Sequence, residues 1–106
     1  VKQVKKIYST TLNILLNKHD IDKIDYLSID VEGHELDVLN GFDIKKYKPD
    51  IVSIEYLDLN LEKFEFHYNC IDSVINSEIY RYFLSNNYKF INWNHADLIF
   101  VNNDYI

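Results

Sequence analysis

The sequence predicts an α/β fold in which helices cover the faces of a parallel sheet that ends in an antiparallel hairpin. Two apolar segments, IDYLSIDV and DIVSIEY, have the length and the flanking residues of buried strands. Segments with helical spacing precede, separate and follow them, and strands that alternate with helices favour a parallel sheet. The 106 residues are 47% hydrophobic and 15% aromatic, which is typical of a single folded domain rather than a disordered chain.

The first part of the chain is expected to hold a short edge strand, a helix and the first buried strand. VKQVKKIYS alternates apolar and polar residues, which suits an edge strand. Ser9 or Thr10 can cap a helix over TTLNILLNKH. The apolar stripe of that helix is formed by Leu12, Ile14, Leu15 and Leu16. IDYLSIDV then follows as the buried strand.

A short helix and the second buried strand come next. Leu36 and Leu39 lie three residues apart, as on one face of a helix, and Gly41 is expected to end this helix in the left-handed conformation. Pro49 precedes the strand DIVSIEY. Residues 57–70 are acidic and aromatic without a clear period, so we expect an irregular segment there.

The last part of the chain predicts one helix and a hairpin. CIDSVINSEIYRYFLSNN has helical spacing, and Asn87 takes the C-terminal position usually given to Gly. The residues expected to face inward are Ile75, Ile79, Phe83 and Leu84. YKFINW and DLIFVN are expected to pair around Asn94 and His95.

Acidic side chains end both buried strands. Right-handed crossovers place the carboxyl ends of parallel strands at the same edge of a sheet, where ligands of open α/β sheets bind. Asp30 and Glu32 end the first strand and Glu55 ends the second, so these three are the candidate catalytic residues. An Asp directly after a buried strand is costly to desolvate unless it faces a crevice or a firm partner.

A structural role is the alternative for each acid in this segment. Negative charge is favoured in the first turn of a helix, which accounts for Glu32 and Glu35, and we prefer this interpretation for Glu35. Asp30 could instead accept hydrogen bonds from the amides of the turn through Gly33.

Charge and cysteine content exclude several partners. A net charge of −6 without a compensating Lys/Arg run disfavours nucleic acid and anionic membranes. Cys70 is the single cysteine, which excludes an intrachain disulfide and fits a cytoplasmic location. The four histidines lack metal-ligand spacing, so no structural zinc is expected. A divalent cation on Asp30 and Glu32 is a less favoured alternative.

The segment TTLNILLNKHDIDKIDYLSIDVEGHELDVLNGF, followed by KPDIVSIEY, resembles the C-terminal half of the FkbM family of S-adenosylmethionine-dependent methyltransferases. The marks are the Asp-x-Glu-Gly-x-Glu run from Asp30 to Glu35, the LNGF helix end, and the final NNYKFINW and DLIFVN hairpin. The resemblance runs from about Thr10 to Asn102. It implies a Rossmann-like class I methyltransferase fold.

The resemblance also implies a reaction, which is methyl transfer to a hydroxyl oxygen of a sugar or other small metabolite. Asp30 would orient or deprotonate the acceptor, Glu32 would assist, and Glu55 would line the pocket. The segment from Tyr56 to Cys70 would shape acceptor specificity, as irregular segments over a rigid sheet often do.

The sequence departs from the family pattern in two places. Asn13 stands where the family has an Asp in a Thr-Leu-Asp run. The second departure is the absence of the Gly-rich turn that holds the cofactor in class I enzymes. Gly33 and Gly41 are the chain's only glycines, and they are too far apart to form such a turn. We therefore assign no cofactor-binding residue here and expect the cofactor half of the domain either to lie upstream of residues 1–106 or to have been lost.

Two further expectations follow from the missing half. The chain alone is expected to be inactive and to self-associate through a bared edge of the sheet. The alternative function is a non-catalytic α/β remnant that acts through protein contacts.

Overall fold

The structure is a computed structural model that describes residues 6–56 and 71–105. Its helices in chain order are α1 (Leu12–Lys18), α2 (Glu35–Asn40), α3 (Ile44–Tyr47), α4 (Ile71–Ile75) and α5 (Glu78–Ser85). Its strands are β1 (Tyr26–Ile29), β2 (Ile51–Glu55), β3 (Tyr88–Asn94) and β4 (Asp97–Asn102). Both predicted buried segments therefore form strands, and the predicted irregular segment, residues 57–70, lies outside the described residues.

The four strands form one mixed sheet in the order β1-β2-β4-β3. β1 and β2 are parallel, with Tyr26 opposite Ile51, and the remaining pairs are antiparallel. The parallel pairing of the two buried strands and the terminal hairpin are thus confirmed, within a sheet that is mixed, and β4 lies against β2. After β2, the chain forms β3 at the edge of the sheet farthest from β1. It then turns back through the hairpin, so β4 lies between β2 and β3 and is antiparallel to both.

The first helix is capped one or two residues later than predicted. The Thr11 hydroxyl, rather than Ser9 or Thr10, accepts a 3.3 Å hydrogen bond from the Ile14 amide. The described part of the predicted edge strand, residues 6–9, is not a strand. The predicted stripe is only partly buried, because the short helix turns Ile14 to solvent while Leu12 and Leu16 pack against the core.

Gly41 ends α2 for a reason other than the predicted one. Its φ of −98° is not left-handed, so that prediction was wrong. A Cβ at this position would lie 2.9 Å from the Cβ of Thr11 and 3.0 Å from its Cγ2. Glycine is needed because the end of α2 passes directly over the start of α1, where the Asn13 amide donates to the Gly41 carbonyl at 3.0 Å.

The predicted long helix is two helices. Ser77 has an extended backbone between α4 and α5, and its hydroxyl accepts a 3.1 Å hydrogen bond from the Tyr80 amide. This break shifts the apolar face, so Ile75 and Leu84 are 46% and 45% exposed, contrary to prediction. Phe83 is fully buried, as predicted.

The hairpin forms with a tight turn. Asn94 lies opposite Asp97, so the turn residues are His95 and Ala96, one residue later than predicted. Asn87 has the predicted left-handed backbone after α5, with a φ of 68°.

The core lies around β2 and β4 and continues under α5. Phe83 stacks on Phe100 with ring centroids 4.3 Å apart. The buried hydrophobic residues among those described are Ile29, Leu39, Phe42, Ile44, Tyr47, Val52, Ile54, Val74, Phe83, Tyr88, Leu98 and Phe100. β1 contributes only Ile29 to this set because it lies at the edge of the described sheet, where Tyr26 is 58% exposed. None of the described helices has the length and apolar character needed to cross a bilayer.

Candidate functional site

The candidate site is the edge of the sheet at which β1 and β2 end. Ile29 pairs with Ile54 in the parallel register, so Asp30 and Glu55 follow at the same level of the sheet. Carboxylate oxygens of Asp30, Glu32 and Glu55 all lie within 4.8 Å of one another. The predicted topology therefore brings the three acids together, and we call this cluster the acid rim.

A tight turn after β1 places Glu32 in the acid rim. The His34 amide donates to the Val31 carbonyl at 3.3 Å, and the two central residues, Glu32 and Gly33, have φ angles of 51° and 98°. Positive φ at both central positions is the geometry of a type I′ turn. Glycine suits the second position, whereas a left-handed Glu32 costs on the order of 1 kcal/mol.

The three acids differ in burial. Asp30 and Glu32 are exposed, whereas Glu55 retains only 8% of its surface. Among the described residues, Trp93 Nε1 is the one buried side-chain nitrogen or oxygen without a hydrogen-bond partner, so the Glu55 carboxylate is not an unpaired and fully buried group. Asp97 lies opposite Glu55 in the β2–β4 register, which adds a further acid to this edge.

Glu35 lies in the first turn of α2, where we predicted a favourable interaction with the helix dipole, but it is also buried, with 3% exposure. Its carboxylate accepts a 3.3 Å hydrogen bond from the Gly33 amide and so holds the turn that carries Glu32. Sequence reasoning missed this burial because nothing in the local pattern distinguishes a buried first-turn Glu from an exposed one.

Two cavities flank the acid rim. A cavity of about 210 Å³ is lined by Glu35, Glu55, Tyr56 and Glu78, among others, and lies between the ends of β2, α2 and α5. A shallow groove of about 650 Å³ runs beside β1 and includes Asp30. The segment from Tyr56 to Cys70, which is expected to shape acceptor specificity, contributes Tyr56 to the smaller cavity, and residues 57–70 lie outside the described residues.

The acid rim offers proton acceptors and oxygen ligands. Asp30 can accept a hydrogen bond, and a proton, from a hydroxyl group in the adjoining groove. The oxygens of Asp30, Glu32 and Glu55 are also the type of ligand that Mg²⁺ and Ca²⁺ prefer. His34 is turned to Asp37, with 3.0 Å between Nδ1 and Oδ2, and both side chains are exposed.

The two glycines of the chain have structural roles. Neither glycine forms a Gly-rich turn, since Gly33 belongs to the acid rim and Gly41 packs on Thr11. Asn13, the other departure noted in the sequence, has a structural role: its side-chain oxygen accepts a 2.6 Å hydrogen bond from the Asp43 amide. An Asp could accept the same bond, so this departure does not alter the acid rim.

Comparison with known families gives one match. The sequence model described as the methyltransferase FkbM domain matches residues 2–90. No curated protein and no solved structure matches the chain significantly.

Proposed function

This chain belongs to the FkbM methyltransferase family, and we propose that its acid rim serves methyl transfer from S-adenosylmethionine to a hydroxyl oxygen of a sugar or other small metabolite. The observation that carries the proposal is the meeting of Asp30, Glu32 and Glu55 at the carboxyl ends of two parallel strands. This is the edge at which open α/β sheets bind their ligands. The family match does not favour the alternative of a non-catalytic interaction domain.

In this proposal residues 1–106 form the acceptor side of a Rossmann-like class I domain, and the cofactor binds to residues other than these. Asp30 orients the acceptor hydroxyl and takes its proton, because it is exposed and borders the groove beside β1. Glu32 assists at the mouth of the site, and Glu55 lines the inner end. A positioned base that removes a proton accelerates such a step by about 10²–10⁴.

The test is Asp30→Asn in the protein at its natural length. The substitution keeps the size of the side chain but removes its basicity, so turnover with a hydroxyl acceptor should fall by about 10²–10⁴. Cofactor affinity and thermal stability should stay close to those of the unaltered protein. Asp22→Asn is the matched control, since Asp22 is an exposed acid that lines none of the cavities at the acid rim.

Two results would contradict the proposal. Near-normal turnover of Asp30→Asn together with a large loss of stability would make Asp30 a turn cap only. Tight binding of S-adenosylmethionine by residues 1–106 alone would overturn the division between acceptor and cofactor sides.

A further inference from the structure

We infer that Glu35 is a positioning residue for methyl transfer, because its buried carboxylate holds the turn after β1 that places Glu32 in the acid rim. The inference rests on the proposed function and deepens it, since it explains how Glu32 is kept where it assists the reaction. Glu35 contributes no group to the reaction itself and acts through Glu32.

The first step in the inference is the conformation of the turn that carries Glu32. Its two central residues, Glu32 and Gly33, have φ angles of 51° and 98°. The backbone bond across the turn, from the His34 amide to the Val31 carbonyl, is 3.3 Å long, which is beyond the usual range for such bonds. A left-handed residue other than glycine persists only where its surroundings hold it. The position of Glu32 therefore depends on a contact from outside the turn.

The second step is the contact that Glu35 makes with this turn. Its Oε1 accepts a 3.3 Å hydrogen bond from the Gly33 amide. That amide belongs to the peptide group between Glu32 and Gly33, so the bond favours one orientation of this peptide. Glu35 is 3% exposed, so the packing around α2 fixes the acceptor and largely excludes competing water. Gly33 and Glu35 line the cavity that also includes Glu55, so the bond lies beside the acid rim.

The third step is that ion pairing does not account for an acid at this buried position. The ion pairs among the described residues join Lys23 to Asp50 and His34 to Asp37, so neither includes Glu35. A favourable interaction with the helix dipole does not require burial. Burying an acid costs free energy that an apolar side chain of similar length would not cost. The hydrogen bond to the turn is what a carboxylate supplies here and an apolar side chain does not.

Three substitutions of Glu35 separate its hydrogen bond from its charge. Glu35→Gln removes the charge and keeps an oxygen that can accept from the Gly33 amide. Glu35→Asp keeps the charge and withdraws the oxygen by one methylene group. Glu35→Met has a similar length and lacks an oxygen acceptor.

Methyl transfer from S-adenosylmethionine to glucose and to rhamnose is measured in the natural-length protein. Turnover should fall by about 10–10²-fold in Glu35→Met and in Glu35→Asp, because a displacement of about 1 Å near the reacting centre costs rate on this scale. Glu35→Gln should keep turnover within about twofold of the unaltered protein. Cofactor affinity should be similar in all of them. The control is Asp72→Asn, which removes an exposed acid from the first turn of α4 and should keep full turnover.

Two NMR measurements follow the turn without any acceptor. The Gly33 amide should exchange with solvent faster in Glu35→Met and Glu35→Asp, because it has lost its acceptor. The backbone chemical shifts of Glu32 should move away from those of a left-handed residue in the same two variants. Both observations should be unaltered in Glu35→Gln.

A double-mutant cycle tests whether Glu35 acts through Glu32. In a Glu32→Gln background, Glu35→Met should lower turnover by no more than about twofold, because the group that it positions is already lost. A purely structural role predicts the same loss in both backgrounds, and that result would overturn the inference. Full turnover in Glu35→Met would also overturn it, as would an equal loss in Glu35→Gln.

The same data separate this inference from the proposed function. A loss of turnover in Asp30→Asn with full turnover in Glu35→Met would refute only the positioning role. A displaced Glu32 in Glu35→Met, in a protein that transfers no methyl group to a hydroxyl acceptor, would refute only the reaction.

Discussion

Removing the charge of Glu55 should stabilise the fold. Glu55 is 8% exposed and lies within 4.8 Å of two further carboxylates, Asp30 and Glu32. Glu55→Gln keeps the shape of the side chain and removes the like-charge repulsion together with the cost of burying an anion. Binding sites commonly contain charged groups that lower the stability of the fold.

The size of the effect follows from Coulomb's law. Two unit charges at this separation repel by about 3.5 kcal/mol at an effective dielectric constant of about 20, and by about 1 kcal/mol in bulk water. Asp30 and Glu32 are exposed, so their repulsion of Glu55 is closer to the value in water than to the value at a dielectric constant of about 20. We therefore expect Glu55→Gln to raise the free energy of unfolding by about 1–3 kcal/mol at low salt.

Urea denaturation at low salt measures this difference in the free energy of unfolding. The variants are compared at one protein concentration, and the free energy must depend on urea concentration with the same slope in each. The gain should shrink as added salt screens the exposed partners. Asp22→Asn changes the net charge equally and should leave the free energy of unfolding nearly unaltered. A loss of stability in Glu55→Gln would refute the reasoning, because it would mean that the carboxylate has a strong donor in the native protein.

Three further predictions concern stability and assembly. Gly41→Ala should lower the free energy of unfolding by about 1–3 kcal/mol, since the added Cβ would overlap Thr11. Thermal denaturation measures this loss, and an unchanged melting temperature would contradict it. Burial raises the pKa of Tyr88 to about 12 from 10.0, so its stabilising effect is intact below pH 10 and should be lost by about 2–3 kcal/mol as the pH rises towards 12. In Tyr88→Phe the free energy of unfolding should fall less between pH 10 and pH 12 than in the unaltered protein, as measured by urea denaturation at each pH. An equal fall in both proteins would contradict this. None of the described strands covers the outer edge of β1, so residues 1–106 should self-associate or be marginally stable. A monomer in sedimentation that unfolds cooperatively in calorimetry would contradict this.

Short-range signals in the sequence were sufficient for much of the fold. The strand after Pro49, the left-handed Asn87 and the hairpin were all predictable because each depends on residues close together in the chain. The meeting of Asp30 and Glu55 was also predictable, since right-handed crossovers align the ends of parallel strands. A role for these residues in catalysis stays a prediction.

Burial and long-range contact were decided by the tertiary structure. The sequence shows Glu35 and Glu55 as ordinary acids at element ends, and only the elements packed over them make both buried. Gly41 reads as a helix terminator, yet the approach of Thr11, thirty positions away, is what requires glycine. The order of β3 and β4 is likewise set by which strand edge covers β2. These features depend on surfaces that meet only after folding, and such surfaces leave no local period or spacing in the sequence.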